Sequence, residues 1–312
     1  MARQLALRLL SACFLLLVIS LAGFALLRLL PGDFAEVLLM SQMDGTLPDP
    51  ETVARFSAEN GFDRPLPMQY LAWLGGVLSG DLGTSFVTGE PVIDDIALRL
   101  GASAQLAMTA LLLGLALALP VGALCAAFPG GWLDRALAGL AVIGMSIPNF
   151  WYALLLALLF SLVLGWLPSG GYGTLAHMVL PALVIATSIT GVLARYVRGL
   201  LLEELSQPYV RTARAKGLSG ARVLLTHAAP NVFPAVLTLT GLQFARIFDG
   251  MIIVETLFGW PGIGRLMVEA LLARDYPLIQ ATFLVVACGY VLVNLAVDYI
   301  IALYDPRTRG VV

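Results

Sequence analysis

Six apolar runs, each long enough to cross a bilayer, constrain this chain more than any other feature. They cover residues 9–30, 100–128, 136–164, 178–202, 232–258 and 278–304. A helix needs about 20 mostly apolar residues to span the hydrocarbon layer. Of the 312 residues, 59% are apolar and 12% charged, against about 25% charge in an average soluble domain. Such a chain cannot coat itself with polar surface. An ordinary soluble globule, a disordered chain and a disulfide scaffold are excluded. The fold class read here is an all-α polytopic membrane protein with six transmembrane helices. Pro120, Pro148, Pro181 and Pro234 lie inside runs, where neighbouring helices re-satisfy the backbone groups they free. Pro148, in Ser146-Ile147-Pro148-Asn149-Phe150-Trp151, predicts a kink in the third span. Cys13, Cys125 and Cys288 all fall in apolar runs and read as small core residues.

Charge sets the orientation. Residues 31–99 hold eleven acidic side chains and only Arg55, Arg64 and Arg99 as basic ones. Eleven basic residues collect on the opposite side: Arg3, Arg8, Arg135, Arg195, Arg198, Arg211, Arg214, Lys216, Arg222, Arg307 and Arg309. Basic loops stay cytoplasmic, so both termini are expected inside, with six spans satisfying that parity. The first run is too long for a cleaved signal peptide. The expected organisation is an N-terminus and first helix at 1–30, an external segment at 31–99, a five-helix core at 100–304 and a cytoplasmic tail at 305–312. A net charge of −2 gives no field for nucleic acid; the surrounding partner is membrane lipid.

The external segment is too long for a plain connection and should fold on its own. Pro48-Asp49-Pro50-Glu51 reads as a helix start, residues 69–78 as an interfacial stretch, and Gly80-Asp81-Leu82-Gly83 as a turn. The inner segment 203–230 is the most informative. Pro208 can open a short helix over 209–216 that places Arg211 and Arg214 on one face. Gly217 stops it. Ser219 caps a second helix over 220–229, and Pro230 closes the unit. A solvated basic loop and a docking surface for another protein both fit this pattern.

Nothing in the chain matches a common hydrolytic device. Its one lysine, Lys216, precedes Gly217 but no Gly-Lys-Ser/Thr follows a strand, so no phosphate-cradling loop is present. His177 and His227 fall on opposite membrane faces, and no metal site is expected. The chain does not read as an enzyme.

Tyr209-Val210-Arg211-Thr212-Ala213-Arg214-Ala215-Lys216-Gly217 resembles the cytoplasmic signature of binding-protein-dependent ABC importer permeases, in the peptide/opine/nickel branch. Arg211, Thr212 and Ala213 stand at the first three positions of that signature, Gly217 matches, His227 and Ala229 replace its Ile and Leu, and Pro230 matches. Leu30-Pro31-Gly32-Asp33, Gly61-Phe62-Asp63-Arg64-Pro65-Leu66-Pro67, Gly80-Asp81-Leu82-Gly83, Phe258-Gly259-Trp260-Pro261-Gly262-Ile263-Gly264-Arg265, Arg274-Asp275-Tyr276-Pro277 and Asp305-Pro306-Arg307 are similar to that branch in order and spacing. The resemblance implies the type I ABC importer permease fold in the bacterial cytoplasmic (inner) membrane. It implies as partners a second homologous permease, two ABC ATPase subunits and an extracytoplasmic substrate-binding protein. No cofactor belongs to this chain; ATP and Mg²⁺ would sit on the ATPases. Arg211, Thr212, Ala213, Arg214, Lys216, Gly217 and Pro230 would couple to the ATPase, with Ala213 and Gly217 as the points of close approach. Di- and oligopeptides rank first as cargo, with nickel or a nickel chelate second. The rival class is a secondary transporter driven by an ion gradient, although the two halves show no convincing repeat.

Ionisable groups inside spans are functional candidates. Arg246 and Asp249, three apart, either pair locally or line the translocation path. Glu255 either caps the turn that follows or belongs to an outer gate. Asp298 and Asn294 share a helix face; Asp298 is a path candidate, with a structural hydrogen bond as its plainer reading. Trp260, Pro261, Gly262 and Gly264 form either a turn or an external gate.

Overall fold

The computed structural model describes residues 2–28, 34–42 and 46–304, and among them the regular structure is helical. In chain order the helices are α1 (Ala2–Arg28), α2 (Phe34–Gln42), α3 (Pro50–Glu59), α4 (Leu66–Leu78), α5 (Val92–Ala127), α6 (Trp132–Ser146), α7 (Asn149–Leu156), α8 (Leu175–Leu205), α9 (Pro208–Ala215), α10 (Gly220–Val223), α11 (Ala229–Leu257), α12 (Ile263–Ala273) and α13 (Tyr276–Tyr304). Widened π-helical turns extend α7 over Ala157–Val163 and join α10 to α11 over Leu224–Ala228. Among the described residues, five helices are long and apolar enough to span a membrane, and α6 with the extended α7 supplies a sixth as a pair bent by 106°. The kink expected at Pro148 is therefore a full break. The residue before a proline is driven out of the helical region; Ile147 accordingly adopts extended backbone (φ −77°, ψ 127°), and α7 restarts at Asn149.

The chain divides into two compact units: residues 1–102 with 262–291, and residues 103–261 with 292–312.

In the first unit, Asp49 caps α3. Its carboxylate accepts from the Thr52 N–H at 2.9 Å and the Thr52 hydroxyl at 2.6 Å, and these bonds hold it below the usual carboxylate range. On α4, Tyr70 and Trp73 lie against Phe24 of α1, and the Tyr70 hydroxyl meets that of Ser20 at 2.8 Å. The turn at 80–83 forms as expected, with Gly80 and Gly83 at φ +87° and +86° and Asp81 accepting from the Gly83 N–H. An apolar core gathers Val92 and Ile96 with Ile263, Leu266, Ala270, Leu278 and Ile279.

One carboxylate closes this unit. Arg274 ends α12 in left-handed backbone, which delivers Asp275, 1% exposed, to the head of α13. There it accepts from the Ser85 hydroxyl, the Phe86 N–H at 3.3 Å and the Leu278 N–H at 3.4 Å. It thus caps a helix and pins a loop 190 residues away in sequence. Two further ties, Arg99 to Glu269 at 3.1 Å and Arg265 to Glu269 at 2.7 Å, link α5 to α12 and run along α12.

In the second unit, α8 packs between α6 and α11. Small residues permit the approach. A Cβ on Gly191 of α8 would fall 2.5 Å from the Ala141 carbonyl oxygen of α6. Asp134 at the start of α6 is 3% exposed and receives both prongs of the Arg198 guanidinium from α8 at 2.7 Å each, with the Gly130 N–H at 2.9 Å. Planar fork-to-carboxylate pairing of this kind fixes angle as well as distance.

Replacing Asp275 by Ala is expected to remove a cap and strand the Ser85 hydroxyl, a loss of about 2 kcal/mol. The apparent melting temperature of the purified chain in detergent should fall by several degrees; an unchanged melt would show that Asp275 does not hold this unit together.

Candidate functional site

Two places in the second unit collect the residues singled out by sequence, and a third sits at the far end of α11. The first is the turn unit between α8 and α11. Pro208 opens α9, Lys216 ends it, and Gly217 turns the chain at φ +83°. An L-residue is disfavoured there by roughly 1–2 kcal/mol, although nothing stands within 4 Å of where a Cβ would lie. Ser219 then caps α10 through the Arg222 N–H at 3.4 Å. Val210, Ala213 and Val223 form a small core beneath, with Leu205 and Leu218 at its edge. Ala213 is therefore part of the unit's own packing and not an outward contact point. An eight-residue helix that buries Val210 must also bury the position three residues on.

What remains outward is cationic. Arg211, Thr212, Arg214, Lys216, Gly217 and Arg222 are all exposed, beside Leu225 at 65%. The helix does not stop at Pro230, as the sequence suggested; it continues from Gly220 through α11. Pro230 stands at the second residue of α11, directly after the π turn, and the helix runs through it.

A polar knot fastens this unit to both long helices. Glu204 of α8 accepts from the Tyr209 hydroxyl at 2.6 Å and from the Asn231 amide at 2.8 Å, and that amide reaches the Tyr209 oxygen at 3.2 Å. Burial and the Glu204 carboxylate both push the Tyr209 phenol above its ordinary value. Sequence reasoning missed Glu204, Asn231, Asp134 and the role of Arg198. The available signal was an acidic residue left in a basic stretch, which needs a partner.

The second place is a cavity of about 120 Å³ between α7, α8 and α11, lined by Asn149, Ile185, Ser188, Ile189, Val192, Gln243, Arg246, Ile247 and Gly250. Arg246, which is exposed on the chain taken by itself, borders this opening. The side chains of Asp249 and Asp298 lie outside the described residues.

The third place is the end of α11. Glu255 is fully buried and accepts from the Ser103 hydroxyl of α5 at 2.6 Å. Its carbonyl receives the Trp260 N–H at 2.9 Å. Trp260, 1% exposed, meets Tyr172 edge-on at 4.8 Å, and the Gly171 N–H donates to the Phe258 carbonyl at 2.7 Å. Glu255 and Trp260 are thereby brought together in a packed corner, which Pro261 ends. Gly262 and Gly264 belong to the other unit, where Gly262 precedes α12 and Gly264 is buried within it.

The family whose description is "Binding-protein-dependent transport system inner membrane component" matches residues 118–310, and its N-terminal companion matches residues 1–107. The chain belongs to this family of transport permeases. A permease of this family works with an ATPase and a substrate-binding component, and it resides as a multi-pass protein in the bacterial inner membrane. A putative peptide transport system permease protein of Brucella abortus (strain 2308) is 39% identical over 310 residues, 97% of each chain. A glutathione transport system permease protein of Pectobacterium atrosepticum is 38% identical over 302 residues, again 97% of each. Among solved structures, an inward-facing form of the MetNI methionine ABC transporter matches with a TM-score of 0.59 at 16% identity, covering 67% of this chain and 96% of that one. That likeness gives the fold, the type I ABC permease fold expected from the sequence.

Removing Arg198 as Arg198→Ala would leave the Asp134 carboxylate buried beside an empty position. Unpaired buried charge is strongly destabilising, so the permease should lose heat resistance in a detergent melt. Adding Asp134→Asn should recover part of it. Equal melts for single and double variants would contradict the pairing.

Proposed function

We propose that this permease is one half of the translocation path of an ATP-driven importer of di- and oligopeptides. It pairs with a second, unlike permease, and the pair is served by two ATPases and an extracytoplasmic binding protein. In this reading both termini and the 203–230 turn unit face the cytoplasm, and residues 31–99 face outward. ATP and Mg²⁺ are held by the ATPases, so this chain hydrolyses nothing itself. Peptides come first as cargo because the similar permeases named above carry peptides and glutathione, which is itself a tripeptide.

The observation that carries the coupling role is the geometry of the turn unit. A rigid, capped element exposes four cations and one large apolar side chain. Its Glu204–Tyr209–Asn231 knot ties it to α8 and α11 at once. Those two helices line the Arg246 cavity. A push on the turn unit would therefore reach the walls of the path. Alternating access requires a driver that favours one state over the other, and closure of the ATPase pair on nucleotide supplies it. Arg211, Thr212, Arg214, Lys216 and Gly217 form the contact in this scheme, with Ala213 supporting them from within and Pro230 joining the unit to α11. Trp260 and Pro261 are assigned to the outer closure, where the Glu255 carbonyl receives the Trp260 N–H.

The test is uptake of labelled peptide by proteoliposomes holding the whole importer. The double charge reversal Arg211→Glu with Arg214→Glu should cut ATP-driven uptake at least tenfold while the complex still inserts. Full ATP-driven uptake by that variant would overturn the coupling assignment. Uptake that ignores ATP and collapses with an uncoupler would instead return the gradient-driven transporter to first place.

A further inference from the structure

The Arg246 cavity has a property that packing alone does not explain. On α11, Gln243, Arg246, Ile247 and Gly250 stand at i, i+3, i+4 and i+7; on α8, Ile185, Ser188, Ile189 and Val192 repeat the same spacing. Two helix stripes thus face one opening, and Asn149 enters it from the first residue of α7. Four polar side chains line it: Asn149, Ser188, Gln243 and Arg246. Among the described residues, none of the four makes a side-chain hydrogen bond or an ion pair. Position 249 lies off the α11 stripe.

On either side of Ser188, Thr187 donates to the Leu183 carbonyl at 2.8 Å and Thr190 to that of Ala186 at 2.7 Å. Ser188, between them, does not. Gln243 is 7% exposed, and its side chain lines the opening. Room has also been made for Asn149, since a Cβ at Gly250 would fall 2.5 Å from its amide nitrogen. Polar and ionisable groups gathered in membrane-spanning helices are functional candidates.

We infer that this cavity is a way station for the carboxylate end of the peptide in transit. This rests on the proposed path. Arg246 offers a planar fork that pairs two-to-two with a carboxylate. Gln243 and Asn149 each present both an amide donor and a carbonyl acceptor, which suits the last peptide unit beside that carboxylate, and Ser188 supplies a hydroxyl. A cationic ligand would leave the guanidinium opposed. An uncharged one would leave it unmatched. The carboxylate could be the C-terminal one or an acidic side chain, and a peptide without acidic residues separates the two.

The complete importer in proteoliposomes is compared as wild type, Arg246→Gln and Arg246→Lys, using trialanine and its C-terminal amide, each first shown to load the binding protein. Arg246→Gln should lower the maximal rate for trialanine at least tenfold. The half-saturating concentration of loaded binding protein and the ATPase rate should stay unchanged. Arg246→Lys should remain within about threefold of wild type, and for the amide the wild-type and Arg246→Gln rates should converge. The inference falls if Arg246→Gln transports trialanine within twofold of wild type, if lysine does not rescue, or if the tenfold gap persists for the amide. Ser188→Trp, which fills the cavity, tests the path separately. If it blocks uptake while Arg246→Gln does not, the path stands and the carboxylate site is lost. If Ser188→Trp transports normally, both are lost.

Discussion

Inside a bilayer, a polar group that finds no partner within the protein finds none at all. Backbone groups meet this demand by forming helices, and the side chains that cross between helices must meet it pair by pair. Asp134 with Arg198 joins α6 to α8. Ser103 with Glu255 joins α5 to α11. Asp275 collects Ser85 and the head of α13 in the other unit. Each tie links segments at least 64 residues apart. Apolar contact between helices gives little direction in lipid, because lipid tails are equally apolar. These few ties fix which faces meet, and small residues such as Gly191 then let backbones close up.

The same demand sets the Arg246 cavity apart. The ties between helices described above are matched pairs. At the opening, Asn149, Ser188, Gln243 and Arg246 converge without a side-chain partner among the described residues. The turn unit between α8 and α11 follows the opposite rule: its interior is apolar, its knot at Glu204 is satisfied, and its charge faces outward. A stiff element joined to helices that wall an unsatisfied cavity is a mechanical arrangement suited to moving a polar cargo.

What the sequence made legible is local in origin. The apolar runs, the Asp49 cap, the turn at Gly80 and Gly83, the stop at Gly217 and the Ser219 cap each depend on a few neighbouring residues, and each formed. The continuation past Pro230 was hidden because a π turn over Leu224–Ala228 absorbs the proline, and no short motif announces a π turn. The sharpness of the break at Ile147 was likewise hidden, since Pro148 predicts a bend but not its angle. Ala213 could have been placed inside from its spacing to Val210, but small size alone suggested an outward contact. The long-range pairs lay beyond reach, because nothing in Asp134 names Arg198 as its partner. Arg246 was recognised by its charge in an apolar run; Gln243, Ser188 and Asn149 were not, since a neutral polar residue in a span looks ordinary until its neighbours are known.

The proposed coupling depends most on the turn unit being the place where an ATPase takes hold. A photo-activatable cross-linking residue in place of exposed Thr212, incorporated in the native host and irradiated in intact membranes, tests this directly. The adduct, identified by mass spectrometry, is predicted to contain an ATPase with a phosphate-binding Gly-Lys-Ser/Thr loop. Adducts with lipid alone, or with proteins that lack such a loop, from membranes in which the importer is shown to be assembled, would contradict it.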